Sequence, residues 1–482
     1  MSIKKSSTIL LVSRFVKTLI DIISVMILSR YLEIADYGIY RQIVISQQLV
    51  VSVLTLGIPN AALYYLSSKK EKEYLINLYT MLFSISFLVL LISPILTNLF
   101  YLNFKVIFFR KNELIIGLIY SLSIFSSVAE NVLVALNKIK NVAVYALIPT
   151  TFWLVGLLVL YTSKYTVQNI LTLMILRYLV GIILLVMFTY KEINFRFLNI
   201  KKIRDILVFG IPIGLSSMLG ILNKNVDKLI VGYFVNNTDF AVFSNGAYEI
   251  PFLSLITSSL YTVLIPQMAK LNEIKDTKNI KKLWLRAGNI MITIMIPLAS
   301  TFIFFSKPFI LFMFSNKYLD SVEYFRIYQI MLYFRIYVYG SVFVATKNSK
   351  LYLTNALYSL VFNFVLDILL VIKFGPLGAV AATVMTTVFS IFLQLKYIKD
   401  ILKIKFVEVF PWKNWILAIA LTILINSVLY TIYHLISNNV YMGLLFMMMS
   451  FILSFYVLSK KVNGEILDYS VSILKKMFKN KE

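Results

Sequence analysis

Six ionisable residues lie inside stretches that are otherwise apolar. Arg14, Lys17 and Asp21 interrupt the first such stretch, and Lys224, Asp227 and Lys228 interrupt the seventh. Charge at membrane depth costs about 2.5–3.5 kcal/mol per residue on insertion scales, so it persists where it faces a watery cavity, a partner charge or a substrate. Positions 14, 17 and 21 are spaced i, i+3, i+7 and share one helix face, where two cations and a carboxylate would line a cavity rather than touch lipid. Lys17 and Asp21 can pair at i, i+4, which lowers the insertion cost and lets the pair toggle with substrate or ions. Arg14, about five residues from the end of its span, has the alternative of snorkelling to the headgroups. In the seventh stretch Lys224, Asp227 and Lys228 stand at i, i+3, i+4 beside Asn223 and Asn225. Below them, Gly210-Ile211-Pro212-Ile213-Gly214 joins a small-xxx-small packing surface to a proline that frees a backbone carbonyl. A bent, closely packed helix with a polar upper half suits a moving interface; the alternative places residues 223–228 near the outer surface, solvated.

Single charges fall in other spans: Arg177, Glu130, Glu249, Arg326, Arg335 and Asp367. Arg335 is near mid-span and the hardest to explain as snorkelling. Asp367, in the outer third of the next span, is offered as a partner for Arg335 or Arg326. Glu249 follows a polar turn at a cavity mouth, and Glu130 is a lone carboxylate that could take a proton or cation.

The elements that must position these residues are membrane helices. Of 482 residues 60% are hydrophobic and 14% are charged, against roughly 25% charged in a soluble protein. About fourteen spans of helical length follow one another, an all-α polytopic pattern. Cysteine is absent and His434 is the single histidine, which excludes disulfides, thiolate catalysis and multi-histidine metal sites. The first span, behind Lys4 and Lys5, reads as retained rather than as a cleaved signal, because charges interrupt it and no small-residue cleavage site follows.

The net charge of +25 concentrates in alternate loops, among them 67–73 (Lys69, Lys70, Lys72), 137–141, 191–204, 269–284, 347–350 and 396–413, and in both tails. That is the positive-inside pattern; it explains the charge without nucleic acid and places both termini in the cytoplasm. Lys105, Arg110 and Lys111 dissent, which makes the third (75–101) and fourth (114–136) spans the least regular. Segment 191–204 interleaves Arg196, Lys201, Lys202 and Arg204 with Phe195, Phe197 and Ile200. It reads either as an amphipathic stretch on an anionic leaflet or as a solvated loop, and the tail 460–482 reads as basic and helical. There is no P-loop, no His-Glu-x-x-His and no Asp-x-Asp, hence no visible ATP-driven motor or transferase site. Asn236-Asn237-Thr238 fits the glycosylation triplet, a short and common match.

The halves echo each other. Ile27 to Tyr40 (ILSRYLEIADYGIY) matches Ile230 to Phe243 (IVGYFVNNTDFAVF) in pattern, and Leu56-Gly57-Ile58-Pro59 matches Val263-Leu264-Ile265-Pro266. Two six-span repeats of the same orientation, over 1–204 and 205–400, would then be followed by two extra helices and a basic tail over 401–482.

Several segments resemble the multidrug/oligosaccharidyl-lipid/polysaccharide exporter superfamily, and within it the bacterial flippases of lipid-linked O-antigen and capsule repeat units. They are Arg30–Tyr40 with its Asp36-Tyr37-Gly38-Ile39-Tyr40 ending, Asn225-Val226-Asp227-Lys228-Leu229-Ile230-Val231-Gly232-Tyr233-Phe234, and Phe374-Gly375-Pro376-Leu377-Gly378-Ala379. Span count, layout and length extend the likeness over nearly the whole chain. The resemblance implies two six-helix lobes in a V around a cavity that alternates between inward- and outward-open forms in a bacterial inner membrane. It implies a cationic lumen for the pyrophosphate of an undecaprenyl-linked oligosaccharide, with Arg14, Lys17, Lys224, Lys228, Arg177 and Arg335 as substrate-binding candidates. Cations in a low-dielectric cavity attract a diphosphate strongly, and carboxylates beside them stabilise the empty site. An H+ or Na+ gradient would drive transport, with Asp21, Asp227, Glu130, Glu249 and Asp367 as coupling or charge-pair candidates. Tyr31, Gln42, Gln47, Asn245 and Tyr248 are candidate glycan contacts, and a glycan polymerase and a chain-length regulator are candidate partners. A peptidoglycan lipid-precursor flippase is a near alternative. A drug/cation antiporter would call for an acidic lumen, and a membrane glycan polymerase or ligase for a large external loop.

Overall fold

The computed structural model describes residues 3–67, 71–162 and 164–462. Lys69 and Lys70, and the tail from 463 onward, lie outside the described residues. Among the described residues the regular elements are all helices, and the chain falls into two compact units, 1–244 and 245–482. Among the described residues eleven helices are long and apolar enough to cross a membrane, twelve when one bent pair is counted as a single span. The expected first and tenth spans are not among them. In the first, Arg14, Lys17 and Asp21 dilute a helix that is amply long; in the tenth, the backbone is broken into short pieces.

The first unit contains α1 (Ile3–Tyr31), α2 (Ile34–Leu54), α3 (Ile58–Leu66), α4 (Glu71–Leu91), α5 (Ser93–Phe104), α6 (Phe108–Lys111), α7 (Glu113–Ser126), α8 (Ala129–Ala135), α9 (Ile139–Leu160), α10 (Val167–Thr189) and α11 (Ile200–Phe234), and ends within α12 (Asn237–Gly246). The second unit contains α13 (Phe252–Glu273), α14 (Thr277–Phe304), α15 (Ser306–Phe314), α16 (Ser321–Tyr328), α17 (Gly340–Ala345), α18 (Ser349–Phe374), α19 (Pro376–Leu402), α20 (Trp412–Ile436) and α21 (Val440–Val462).

Local chemistry explains the breaks. Helices α2 and α3 meet at 52°, where Leu56 and Gly57 both take positive φ, 48° and 72°. The third span stops at Ile92 and restarts with Pro94 in the first turn of α5, a position that needs no N–H. Near the end of this span two of the three dissenting charges find partners: the Lys105 ammonium lies 4.1 Å from the Tyr233 ring centroid and the Arg110 guanidinium 3.9 Å from that of Tyr101. Arg110 also donates to Asn98 at 2.7 Å. Aromatic faces and an amide hold these cations in place.

Segment 191–204 is two short 3-10 turns followed by the start of α11, capped by Asn199, whose side chain accepts from the Lys201 N–H. With 35 residues, α11 runs ~52 Å at 1.5 Å per residue, well beyond a hydrocarbon core of about 30 Å. Segment 269–284 is helical on both sides of a turn at 274–276. There Asp276 accepts the Asn279 N–H, and this bond holds its carboxyl below the usual range. Glu408, in the loop after α19, is lowered in the same way by the Lys405 N–H and by Lys281.

The echoing segments fold alike at one place and differently at the other. Both Ile27–Tyr40 and Ile230–Phe243 are a helix end, a short break and a new helix start (α1 to α2, α11 to α12). Asn236 of the glycosylation triplet accepts the Asp239 N–H at 2.9 Å, closing the first turn of α12. These two starts touch: a Cβ on Gly38 would lie 2.1 Å from the Asn237 carbonyl oxygen. Leu56-Gly57-Ile58-Pro59 forms the α2–α3 break, whereas Val263–Pro266 runs inside continuous α13. Glycine allows the left-handed turn in the first copy, and leucine occupies its place in the second.

Candidate functional site

The face predicted on α1 is built as a cluster of ion pairs. The Lys17 Nζ donates to Asp21 Oδ2 at 2.6 Å, one helical turn away. Arg177 of α10 reaches the other oxygen, Oδ1, at 3.3 Å, so Asp21 bridges two cations. Arg177 also lies 3.5 Å from the Thr150 hydroxyl and 5.6 Å from the Trp153 ring centroid, both on α9. Arg14 donates through Nε to Glu130 Oε1 of α8 at 2.8 Å. Three cations thus meet two carboxylates. The Arg14 and Glu130 side chains are 48% and 41% exposed, so the cluster is open to a ligand and its pairs contribute little to folding. Behind it, Gln47 of α2 donates to the Tyr178 hydroxyl.

The seventh-span residues separate into two environments. Asp227 and Lys228 are buried, not solvated as the alternative reading had it. The Lys228 Nζ lies 3.3 Å from Asp227 Oδ1 and donates to the Lys224 carbonyl at 3.1 Å, a pairing contained within α11. Asn103 of α5 reaches the Leu229 carbonyl at 3.1 Å and ties this stretch to its neighbour. Lys224 itself is exposed.

In the second unit the partner of Arg335 differs from the one the sequence offered. Its Nη1 donates to Glu249 Oε1 at 2.7 Å, while Asp367 accepts from Asn363 of the same helix at 3.1 Å. Both members of the Arg335–Glu249 pair lie on non-helical backbone, Glu249 between α12 and α13 and Arg335 between a 3-10 turn ending at Tyr333 and α17. Irregular backbone at membrane depth requires side-chain partners. The Trp415 Nε1 donates to the Tyr333 carbonyl at 2.6 Å and the Tyr339 hydroxyl to the Phe334 carbonyl at 2.9 Å. Arg326 donates towards the Ile303 carbonyl and the Ser306 hydroxyl, each at 3.3 Å. Glu249→Gln is expected to lower unfolding stability by about 1–3 kcal/mol, less than the 3–5 kcal/mol of a fully buried pair, because the pair keeps partial solvent access. Adding Arg335→Gln should restore part of that loss in a thermal-unfolding double-mutant cycle.

Of the candidate glycan contacts, Gln42, Gln47 and Asn245 are buried and Tyr31 is exposed. Gln42 donates to Asn237 Oδ1 at 3.4 Å, and Arg41 donates to the Ser244 hydroxyl at 2.9 Å. Thr150 and Trp153 were not singled out from the sequence. Their i, i+3 spacing places them on one face, but in an apolar span that signal is too common to stand out.

The chain matches the family model described as "Polysaccharide biosynthesis protein" over residues 27–323, well over half its length. It belongs to that family. The chain is 26% identical over 211 residues to the capsular polysaccharide biosynthesis protein CapF of Staphylococcus aureus, a match covering 41% of this chain and 50% of CapF. The match therefore spans about half the length of that relative. It is 25% identical over 397 residues to an uncharacterised membrane protein of Methanocaldococcus jannaschii, covering 74% of this chain and 88% of the relative. In structure the family member is similar to the lipid II flippase MurJ in its inward closed conformation, with TM-score 0.73, 19% identity and 95% and 99% of the two chains covered. It is also similar to an inward-facing multidrug resistance MATE transporter of the MOP superfamily, with TM-score 0.68, 14% identity and 80% and 94% covered. The fold of this multi-pass membrane protein is therefore that of the exporter superfamily its sequence resembles.

Proposed function

We propose that this protein flips undecaprenyl-pyrophosphate-linked oligosaccharide repeat units from the inner to the outer leaflet of the cytoplasmic membrane by alternating access, for O-antigen or capsule biosynthesis. The observation that carries the reading is the half-open cluster of Arg14, Lys17 and Arg177 around Asp21 and Glu130 in a member of a polysaccharide biosynthesis family. Its excess of cations suits a pyrophosphate: guanidinium and ammonium donors make charge-assisted bonds to phosphoryl oxygens, and the resident carboxylates hold those donors in place until the ligand exchanges with them. A cationic drug would meet the wrong sign. The lipid tail stays in the bilayer while the glycan crosses through water. Likeness to the MurJ structure favours one second reading, a peptidoglycan lipid-precursor flippase, which would present the same pyrophosphate to the same cluster.

An H+ or Na+ gradient supplies the drive in this proposal. Asp21, Asp227, Glu130 and Glu249 each hold a cationic side chain. Asp367, which accepts from the Asn363 amide at 3.1 Å, joins them as a further candidate coupling carboxylate. Both termini are cytoplasmic, and a glycan polymerase and a chain-length regulator would receive the product.

Deleting the gene tests the assignment. Surface polymer should be lost while its lipid-linked unit accumulates on the inner leaflet. Intact polymer with new drug sensitivity would replace the proposal with an antiporter, and accumulation of the peptidoglycan precursor would select the second reading.

A further inference from the structure

Where α3, α4 and α11 converge, at the end of the first unit that carries the basic segments, four aromatic rings are assembled in layers. The Tyr64 ring stacks on Phe209 at 4.5 Å between centroids with 19° between planes, and Tyr65 stacks on Tyr74 at 4.5 Å and 16°. Tyr65 also meets Phe209 edge-on at 5.7 Å, which joins the two stacks. The assembly is fixed by polar bonds. The Tyr65 hydroxyl donates to the Asp205 carbonyl at 3.2 Å, the Tyr74 hydroxyl lies 3.5 Å from Asp205 Oδ2, and Lys202 pairs with Glu73 at 2.6 Å. Despite this order Tyr64 remains 60% exposed, and Asp205 is exposed beside the rings.

A tyrosine that anchors a protein at a membrane interface points its hydroxyl outward to the headgroups. Here two of the three tyrosine hydroxyls are tied to Asp205 of α11, one to its carbonyl and one beside its carboxylate, and the rings present a stacked, pre-ordered aromatic face with that carboxylate at its edge. A flat aromatic face packs against the C–H face of a pyranose ring, and a neighbouring carboxylate accepts from sugar hydroxyls. Fixing the rings in advance reduces the ordering cost of binding. We infer that Tyr64 and Phe209, with Asp205, form a sugar-binding platform that takes a pyranose of the lipid-linked glycan, separate from the cationic cluster on α1 and α10. The source of that sugar rests on the flippase reading.

The test uses the full-length protein in nanodiscs and two water-soluble probes: geranyl pyrophosphate, and geranyl pyrophosphate carrying one glucose, galactose or N-acetylglucosamine. The native protein should bind at least one sugar-bearing probe about tenfold more tightly than the bare pyrophosphate. Tyr64→Ala should abolish that increment and leave affinity for geranyl pyrophosphate unchanged, and Tyr64→Phe, which keeps the ring, should retain it. Equal affinity of the native protein for all probes overturns the platform, as does an increment that survives Tyr64→Ala. An equal loss of both affinities in Tyr64→Ala would assign the ring a structural role and overturns it too. If the native protein binds no pyrophosphate probe, the flippase reading itself fails, a result distinct from failure of the platform.

Discussion

Lys17→Ala and Arg177→Ala should each reduce surface polysaccharide at least about tenfold, with unchanged protein abundance in the membrane. A charge-assisted hydrogen bond contributes about 1.5–3 kcal/mol, and each 1.4 kcal/mol is tenfold in affinity, so losing one donor to a bound pyrophosphate costs on the order of 10- to 100-fold. Arg177→Ala should be the more severe change, because a guanidinium offers a planar fork of donors to phosphoryl oxygens where an ammonium acts as a point charge. Asp21→Asn separates binding from structure. It removes a competitor for the two cations, so affinity for geranyl pyrophosphate should hold or rise. If the cluster only held α1 against α9 and α10, Asp21→Asn would be as damaging as Lys17→Ala. On α11 the exposed Lys224 should behave like Lys17 when replaced by alanine. Lys228→Ala should instead lower abundance and thermal stability, since it strips Asp227, a buried carboxylate, of its cation. Normal glycan from both Lys17→Ala and Lys224→Ala would sink the cationic-site idea.

What could be read beforehand divides along one physical line. Relations within a helix follow from spacing, so the Lys17–Asp21 pair, the shared face of Arg14, Lys17 and Asp21, and the small-xxx-small surface of Gly210 and Gly214 were all legible. Relations between helices were not, because uniformly apolar spans carry no register. Nothing in the sequence marks Arg177, 156 positions from Asp21, as its second partner, or Glu130 as the partner of Arg14. The pairing of Arg335 was misjudged for a related reason. Its span reads as one apolar run, yet the backbone leaves the helix between Tyr333 and Gly340, and the guanidinium pairs with Glu249 rather than with Asp367 of the next span. The aromatic layers of Tyr64, Tyr65, Tyr74 and Phe209 combine three helices, and interfacial tyrosines are too common for their sequence positions to stand out.

Gly57→Ala should have the largest effect on folding of any methyl-sized change in the first unit. At φ 72° the backbone already lies in the left-handed region, which costs a residue with a Cβ about 1–2 kcal/mol. The added Cβ would also stand 2.1 Å from the Gly210 carbonyl oxygen and 2.7 Å from the Gly214 nitrogen. Both obstacles are backbone, so no rotamer change relieves them and α11 would have to withdraw from the α2–α3 break. The contact is reciprocal: a Cβ on Gly214 would meet the Gly57 nitrogen at 2.5 Å. Strain and overpacking together should exceed about 3 kcal/mol, read as loss of the monodisperse species on heating in detergent. Gly220→Ala is the control within the same helix, since nothing lies within 4 Å of its added Cβ and alanine is the better helix former by about 0.5–1 kcal/mol. Gly57→Ala and Gly214→Ala should therefore destabilise while Gly220→Ala holds or gains. A Gly57→Ala protein with native melting and native surface glycan would mean that α11 does not need this close approach. The Gly210–Gly214 surface would then be incidental to how the long helix is held against the bend between α2 and α3.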